Sequence, residues 1–340
     1  MVSEKKIGKL TIEEMKNLLK QINIDENVLL GPRIGADAAI LRTGNVIAVH
    51  VDPITGARKN LGALSITIAS NDIVAAGARP KFALTCIILP THYKKEDLSI
   101  LHQEILHKAR EFKINLVGGH TEFSPSVKEP IVITFMLGEL IGNYEERIKQ
   151  IKDLKNNPEN YYIVQIKPIA LEATAIIAND FEELLLGKIN EEDIRKAKSL
   201  LNELSVFNPG IKIFENNIAV YAHDPTEGGI IVALKEMGNF LETGFEVWEE
   251  KIFKLDVTEK IFNVLNLNPL KALSSGSLIC VVVKNKIDLL QKILSEEGKN
   301  WSIIGSLKRE RNMIIINKEG KSRNLEEEGE EEEVWKLFRP

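Results

Sequence analysis

The sequence has little cysteine, no long apolar run and no basic block, and each absence closes off a class of protein. Two cysteines occur in 340 residues, Cys86 and Cys280. Both lie in apolar stretches, ALTCIIL and SLICVVV. They read as buried strand residues of a protein from a reducing compartment, not as a disulfide framework or a metal site. No stretch reaches the ~20 consecutive apolar residues that a spanning helix needs. The first residues, MVSEKKIGKLTIEEMKN, are charged and hold no apolar leader segment, so a cytoplasmic protein away from membranes is expected. The net charge is -5 without a Lys/Arg cluster, which argues against a dedicated nucleic-acid surface and leaves nucleotide binding open.

What is present suffices for sizeable cores: 44% of residues are hydrophobic, and the length suggests about two domains. Thr11 and Glu14 form a capping-box pattern ahead of a helix with Ile12, Met15, Leu18 and Leu19 on one face. VIAVHV (46–51) reads as a strand. The small-residue stretch 63–78 reads as a closely packed helix stopped near Gly77 and Pro80. FALTCIIL is a strand, 95–112 an amphipathic helix, and NLVGG and IVITFMLGEL are strands. This alternation predicts an α/β (α+β type) fold. The polar patch 142–160 holds little that builds a core, so the junction is placed there, between a domain of residues 1–150 and one of residues 155–340. Beyond it, YYIVQI, SLICVVV, WSIIGSL and NMIIIN read as strands, and 171–187 and 189–204 as helical. The acidic run 326–333 reads as a solvated, self-repelling segment, with Trp335, Leu337 and Phe338 anchoring the end.

Four segments set acidic or amide side chains beside glycine at the end of an apolar run: IGADAAI with Asp37, VHVDPITGA with Asp52, ASNDIVAAGARP with Asn71 and Asp72, and LVGGHTEF with His120 and Glu122. Loops at strand ends are where α/β proteins present ligand groups. Converging carboxylates repel unless a cation neutralises them, and hard oxygen ligands favour Mg²⁺ bridged to phosphate. On this reading GGHTE forms one wall of a metal-nucleotide site. Any one segment alone is more often a plain turn, and His120 is as readily a structural histidine as a ligand. In the second half, Asp224 and Thr226 of HDPTEGG suit N-cap positions for a helix starting near Glu227, or the same helix end with Gly228 and Gly229 faces an anion. Ser274-Ser275-Gly276 is a turn or a ligand loop.

Taken in order, GADAAI, DPITGA, NDIVAAGARP, VGGHTE, HDPTEGG and SSGSL, with the EVWKL ending, make the chain resemble the aminoimidazole ribonucleotide (AIR) synthetase–HypE superfamily. That group includes selenophosphate synthetase and thiamine-monophosphate kinase, and the likeness is strongest to its archaeal HypE-like, AIR synthase-related branch. The resemblance implies an N-terminal α/β domain that dimerises through its sheet, a C-terminal α/β domain, and ATP with Mg²⁺ in the cleft between them. It implies Asp37, Asp52 and Asp72 as metal-phosphate ligands with Asn71 beside them. Gly118, Gly119 and Thr121 would shape the loop near the phosphates, His120 and Glu122 would sit at the same site, and Asp224 and Glu227 would face the cleft; beyond the resemblance, His120 or Glu122 is the expected proton acceptor.

Three departures stand against that pattern. The chain ends WKLFRP without the terminal cysteine that carries the carbamoyl group in HypE. Ala36 precedes Asp37 where relatives often have a second acid. IKPIALEATAI (166–176) replaces a glycine-rich loop. The expectation is an ATP- and Mg²⁺-dependent enzyme that phosphorylates or dehydrates an unidentified acceptor. The alternative is a non-catalytic HypE-like partner or scaffold in hydrogenase or metallocentre maturation.

Overall fold

A computed structural model describes residues 10–20, 25–55 and 59–338. The first nine residues and Gly56 and Ala57 of the DPITGA segment lie outside the described residues. The strands form two sheets. The first joins β1 (Val28–Leu30), β2 (Ala39–Thr43), β3 (Asn45–Ile54), β4 (Ala78–Pro90), β5 (Asn115–Ser124) and β6 (Ile131–Leu140), in the order β1-β2-β3-β6-β4-β5. Its helices are α1 (Ile12–Leu19), α2 (Leu61–Ala75) and α3 (Lys95–Glu111). The pairs are antiparallel apart from β4–β5, which α3 connects as a crossover. The second sheet joins β7 (Tyr161–Ile166), β8 (Ala219–His223), β9 (Gly244–Trp248), β10 (Leu278–Val283), β11 (Trp301–Lys308), β12 (Met313–Ile316) and β13 (Ser322–Asn324), in the order β13-β12-β9-β11-β7-β10-β8. With it go α4 (Tyr144–Asn156), α5 (Leu171–Asp180), α6 (Glu191–Ser199), α7 (Phe207–Glu215), α8 (Gly229–Leu241), α9 (Asp256–Leu265) and α10 (Ile287–Glu296). The architecture is the expected α/β fold with two sheet-centred halves.

The joint between the halves is α2. Its stretch of Gly, Ala and Ser keeps the helix thin, so it is buried all round except at Ala63. Ile66, Ala69 and Ile73 pack on Ala48 and Met136 of the first sheet. Leu64 and Ile68 meet α5 of the second half, and Val74 meets Ile211 and Phe214 of α7. Each fully buried isoleucine here contributes about 2 kcal/mol. The buried hydroxyls bond within the helix, Ser65 to the Gly62 carbonyl and Ser70 to that of Ile66. Gly77, left-handed at φ +71, ends the helix as expected.

The polar patch expected to be a bare junction is a helix instead. Asn143 caps α4 by accepting from the N–H groups of Glu145 and Glu146, and Leu154 is fully buried. Arg147 donates to the carbonyls of Ala76, Gly77 and Ile141, filling the C-terminal end of α2. Composition hid this because the stretch needs one buried leucine and one buried guanidinium, not an apolar stripe.

The two sheets differ in cover. Strands β7, β8 and β10 of the second are almost wholly buried. The first is covered by α2 and α3 on one face, while its other face exposes Val51, Phe82 and Phe135. No helix among the described residues is long and apolar enough to cross a membrane.

Candidate active site

One cavity of about 1020 Å³ opens between the two halves. From the first half, the loop before β2 brings Asp37, β3 brings His50 and Asp52, and α2 brings Asp72. His50 and Asp52 are two apart on a strand, so both face the helix layer where Asp72 lies. His50 meets Asp72 at 3.2 Å. From the second half come Glu172 in the first turn of α5, His223 at the end of β8, Asp224 and Glu227 in the following loop, and Glu236 on α8.

The loop carrying Asp37 has one approach to α8. Gly35 is left-handed at φ +75, and a Cβ there would run into the backbone of Glu236. The Tyr221 hydroxyl donates to the Gly35 carbonyl at 2.8 Å and fixes the same loop. Asp37 is thereby set against His223, whose Nδ1 faces the Asp37 carboxylate while its Nε2 meets Glu236 at 2.7 Å. One ligand atom from each of Asp37, His223 and Asp224 lies within 4.8 Å of the others.

Burial acts on this group first. It pushes the Asp37 carboxyl up against the pull of the imidazole. It pushes His223 down, but Asp37 and Glu236 outweigh it and hold the ring protonated. At His50, burial again lowers, yet Asp72 and then Asp52 and Asp37 raise the group to about 9. The site therefore balances its carboxylates with two imidazolium rings. A divalent cation still fits. Asp37 Oδ2 is buried without a hydrogen-bond partner, its side chain is 6% exposed, and Asp224 offers a second carboxylate with a ligand atom within 4.8 Å of one on Asp37, which suits a hard cation.

Of the residues the sequence singled out, Asp37, Asp52, Asp72, Asp224 and Glu227 line this cavity, with Thr226 and Ser275. Asn71 goes elsewhere. Its amide donates to the Leu204 carbonyl at 2.8 Å and accepts the Val206 N–H at 3.0 Å, so it fastens α2 to the second half. Gly118, Gly119, His120, Thr121 and Glu122 do not form a loop wall. They are the body of β5, an edge strand, and none of them borders the cavity in this chain. His120 and Glu122 pair at 3.3 Å with side chains 64% and 49% exposed. The glycines serve strand pairing: a Cβ on Gly119 would strike the Thr85 carbonyl of β4.

The helix after HDPTEGG is α8, capped by left-handed Gly228 without a side-chain bond, so neither Asp224 nor Thr226 caps it. The acidic run is solvated only in part, at Glu326, Glu327 and Glu331. Glu332 and Glu333 are each 6% exposed. Glu332 accepts N–H bonds from Gly228 at 2.8 Å, Leu273 at 3.1 Å and Val334 at 3.0 Å. The end of the chain does anchor on the body, with Phe338 edge-on to Phe181. In the stretch that replaces the glycine-rich loop, Lys167 and Ala170 adopt left-handed φ of 66° and 56°, so the glycine-like path persists without glycine. Four cavity residues carry no signal that the sequence motifs revealed: His50, His223, Glu236 and Glu332. Strand alternation ahead of Asp52 and adjacency to Asp224 could have marked the two histidines. Nothing local marks Glu236 or Glu332.

Comparison with known proteins matches both halves of the chain. The N-terminal domain model of AIR synthase related protein matches residues 35–140, and the C-terminal domain model matches residues 163–318. A putative hydrogenase expression/formation protein of Methanocaldococcus jannaschii is 28% identical over 324 residues, 91% of each chain. The selenide, water dikinase of Carboxydothermus hydrogenoformans is 25% identical over 73% of this chain and 68% of its own length. Among solved structures, a HypE–HypF complex aligns with a TM-score of 0.72 at 20% identity, covering 91% of this chain and 97% of that one. HypE in complex with ATP aligns with a TM-score of 0.64 at 19% identity, covering 92% and 88%. The two domain models, in the same order as the two halves of the molecule, show that this chain belongs to the AIR synthase related protein family.

Proposed function

We propose that the cavity between the halves binds ATP with Mg²⁺ and that the protein transfers or activates a phosphoryl group for a small acceptor. The observation that carries this reading is the convergence of Asp37, Asp52, Asp72 and Asp224 on one cavity, with a buried carboxylate oxygen of Asp37 left without a hydrogen-bond partner. These carboxylates would hold the cation, which when bound neutralises phosphate oxygens. Glu236 orients His223, and His223 fixes Asp37. His50 holds Asp72 and keeps the first-half carboxylates from repelling one another. The likeness to HypE solved in complex with ATP supports the nucleotide.

The open apolar face of the first sheet supports a homodimer. His120, Thr121 and Glu122 then join a site only through the partner copy, because in their own chain they stand away from the cavity. A role beside a second protein in hydrogenase maturation is the alternative, supported by the likeness to HypE in its complex with HypF and by Glu172, whose carboxylate occupies the first turn of α5. Equilibrium titration with ATP in Mg²⁺ buffer separates the two. The enzyme reading expects saturable binding that Asp72→Ala weakens by about a hundredfold while circular dichroism stays unchanged. No binding by the wild type at millimolar ATP leaves the partner reading.

A further inference from the structure

The start of α8, beside the cavity, already holds a carboxyl group, and it comes from the chain itself. Gly228 and Gly229 open α8 in left-handed conformation; the Gly229 N–H bonds back to the Thr226 carbonyl, which leaves the Gly228 N–H for another acceptor. The Gly228 N–H donates to Glu332, and the Leu273 N–H, from the loop packed against that turn, donates to the other oxygen of the same carboxylate. Glu332 has no cation among its hydrogen-bond partners; burial, and to a lesser degree Glu227, push its carboxyl up to about 7 against the pull of the three N–H groups. Its neighbours Glu330 and Glu331 line the cavity too, as does Trp335.

The segment is fastened by side chains rather than by a sheet. Between Glu328 and Glu333 it has no helix or strand. Glu330 takes the Ile12 N–H of α1 and the ammonium of Lys235, and Glu333 takes the Asn268 N–H. No strand lies within residues 328–338, so the run can leave without unpairing one.

We propose that residues 328–338 are a releasable strap: Glu332 fills the anion position at the start of α8, and a phosphate group entering the cavity competes with it for the Gly228 and Leu273 N–H groups. The strap then sets the affinity of the cavity for phosphorylated ligands and carries Trp335 with it when displaced. A fixed carboxylate held by backbone N–H groups is a poorer occupant than phosphate, which offers more acceptor oxygens to the same donors. The inference deepens the nucleotide reading and rests on it only in taking the cavity as a ligand site.

The test titrates inorganic pyrophosphate, and separately Mg²⁺-ATP, into the full chain. Tryptophan fluorescence and amide hydrogen exchange over 328–338 are followed. Wild type should lose protection at Val334 on saturation, and the emission change should vanish in Trp335→Phe. Glu332→Ala should bind pyrophosphate at least about tenfold more tightly than wild type. If Glu332→Ala fails to fold, Glu332→Gln and the exchange measurement on wild type decide. Equal affinity in the variants, or protection unchanged at saturating ligand, overturns the strap. Mg²⁺-ATP binding with an undisturbed strap would sink this inference and leave the nucleotide reading standing. Pyrophosphate release of the strap without ATP binding would do the reverse.

Discussion

Two stretches of this chain use nearly the same letters and end in opposite roles. VGGHTE and DPTEGG each combine paired glycines with threonine and an acid. In the first, the glycines lie inside edge strand β5 at positive φ of 153° and 159°, which L side chains rarely adopt. In the second they are left-handed, at 77° and 61°, and turn the chain from β8 into α8 at the cavity. The difference lies in what the glycines meet. A Cβ on Gly119 would strike the Thr85 carbonyl of the paired strand β4, whereas one on Gly229 would collide with the backbone of Leu270 and Ala272, which belong to no strand paired with it. Composition marks both stretches as special; only the long-range packing says which one the site requires.

Substitution at those glycines should break the symmetry most strongly. Gly229→Ala combines a left-handed backbone with a backbone clash and should cost about 4 kcal/mol, whereas Gly118→Ala, strained at φ of 153° but in open space, should cost about 2 kcal/mol. Urea unfolding of the two variants measures the gap, and equal losses would place the two turns on the same footing.

The next effect concerns the carboxylates. Asp72→Ala should weaken Mg²⁺-dependent ATP binding by about a hundredfold, near 3 kcal/mol, with the fold kept. Because Asn71 is the residue that fastens α2 to the second half, Asn71→Ala should instead lower stability and leave affinity per folded molecule almost unchanged.

A pH effect of similar or smaller size belongs to His50. Its folded value of about 9 lies above the ordinary 6.5, so the folded state binds the proton more tightly. That stabilisation is fully present below pH 6.5 and is lost as pH rises through 9. It corresponds to at most about 3 kcal/mol. Thermal unfolding in chelator should show wild type losing more stability than His50→Gln between pH 7 and pH 9.5, and parallel curves would remove the imidazolium from the account.

The smallest effect should come from β5. Removing the exposed His120–Glu122 pair by His120→Ala should change monomer stability by less than about 1 kcal/mol. Phe82→Asp, on the open face, should convert a dimer to a monomer in gel filtration, and a joint loss of ATP binding would show that β5 works across the dimer.

Much of the architecture was legible because its signals are local. The capping box of Thr11 and Glu14, the stop at Gly77 and the small-residue face of α2 all appear in the structure as expected. The helix α4 was not legible, since Arg147 gains its place from carbonyls that α2 and the end of β6 supply. The acidic tail misled for the same reason. A run of glutamates reads as solvated until Gly228, Leu273 and Asn268, distant in sequence, offer their N–H groups. At the site, the aspartates announced themselves by their glycine neighbours. Glu236 carries no such mark, being placed by the helix period of α8 opposite a histidine from β8.

The most direct test is calorimetric titration of the wild-type protein with ATP, with Mg²⁺ and then in chelator, alongside Asp37→Asn. The account predicts saturable binding that needs Mg²⁺ and falls at least about tenfold in the variant. Binding that is indifferent to both Mg²⁺ and Asp37, or no binding at millimolar ATP, would contradict it.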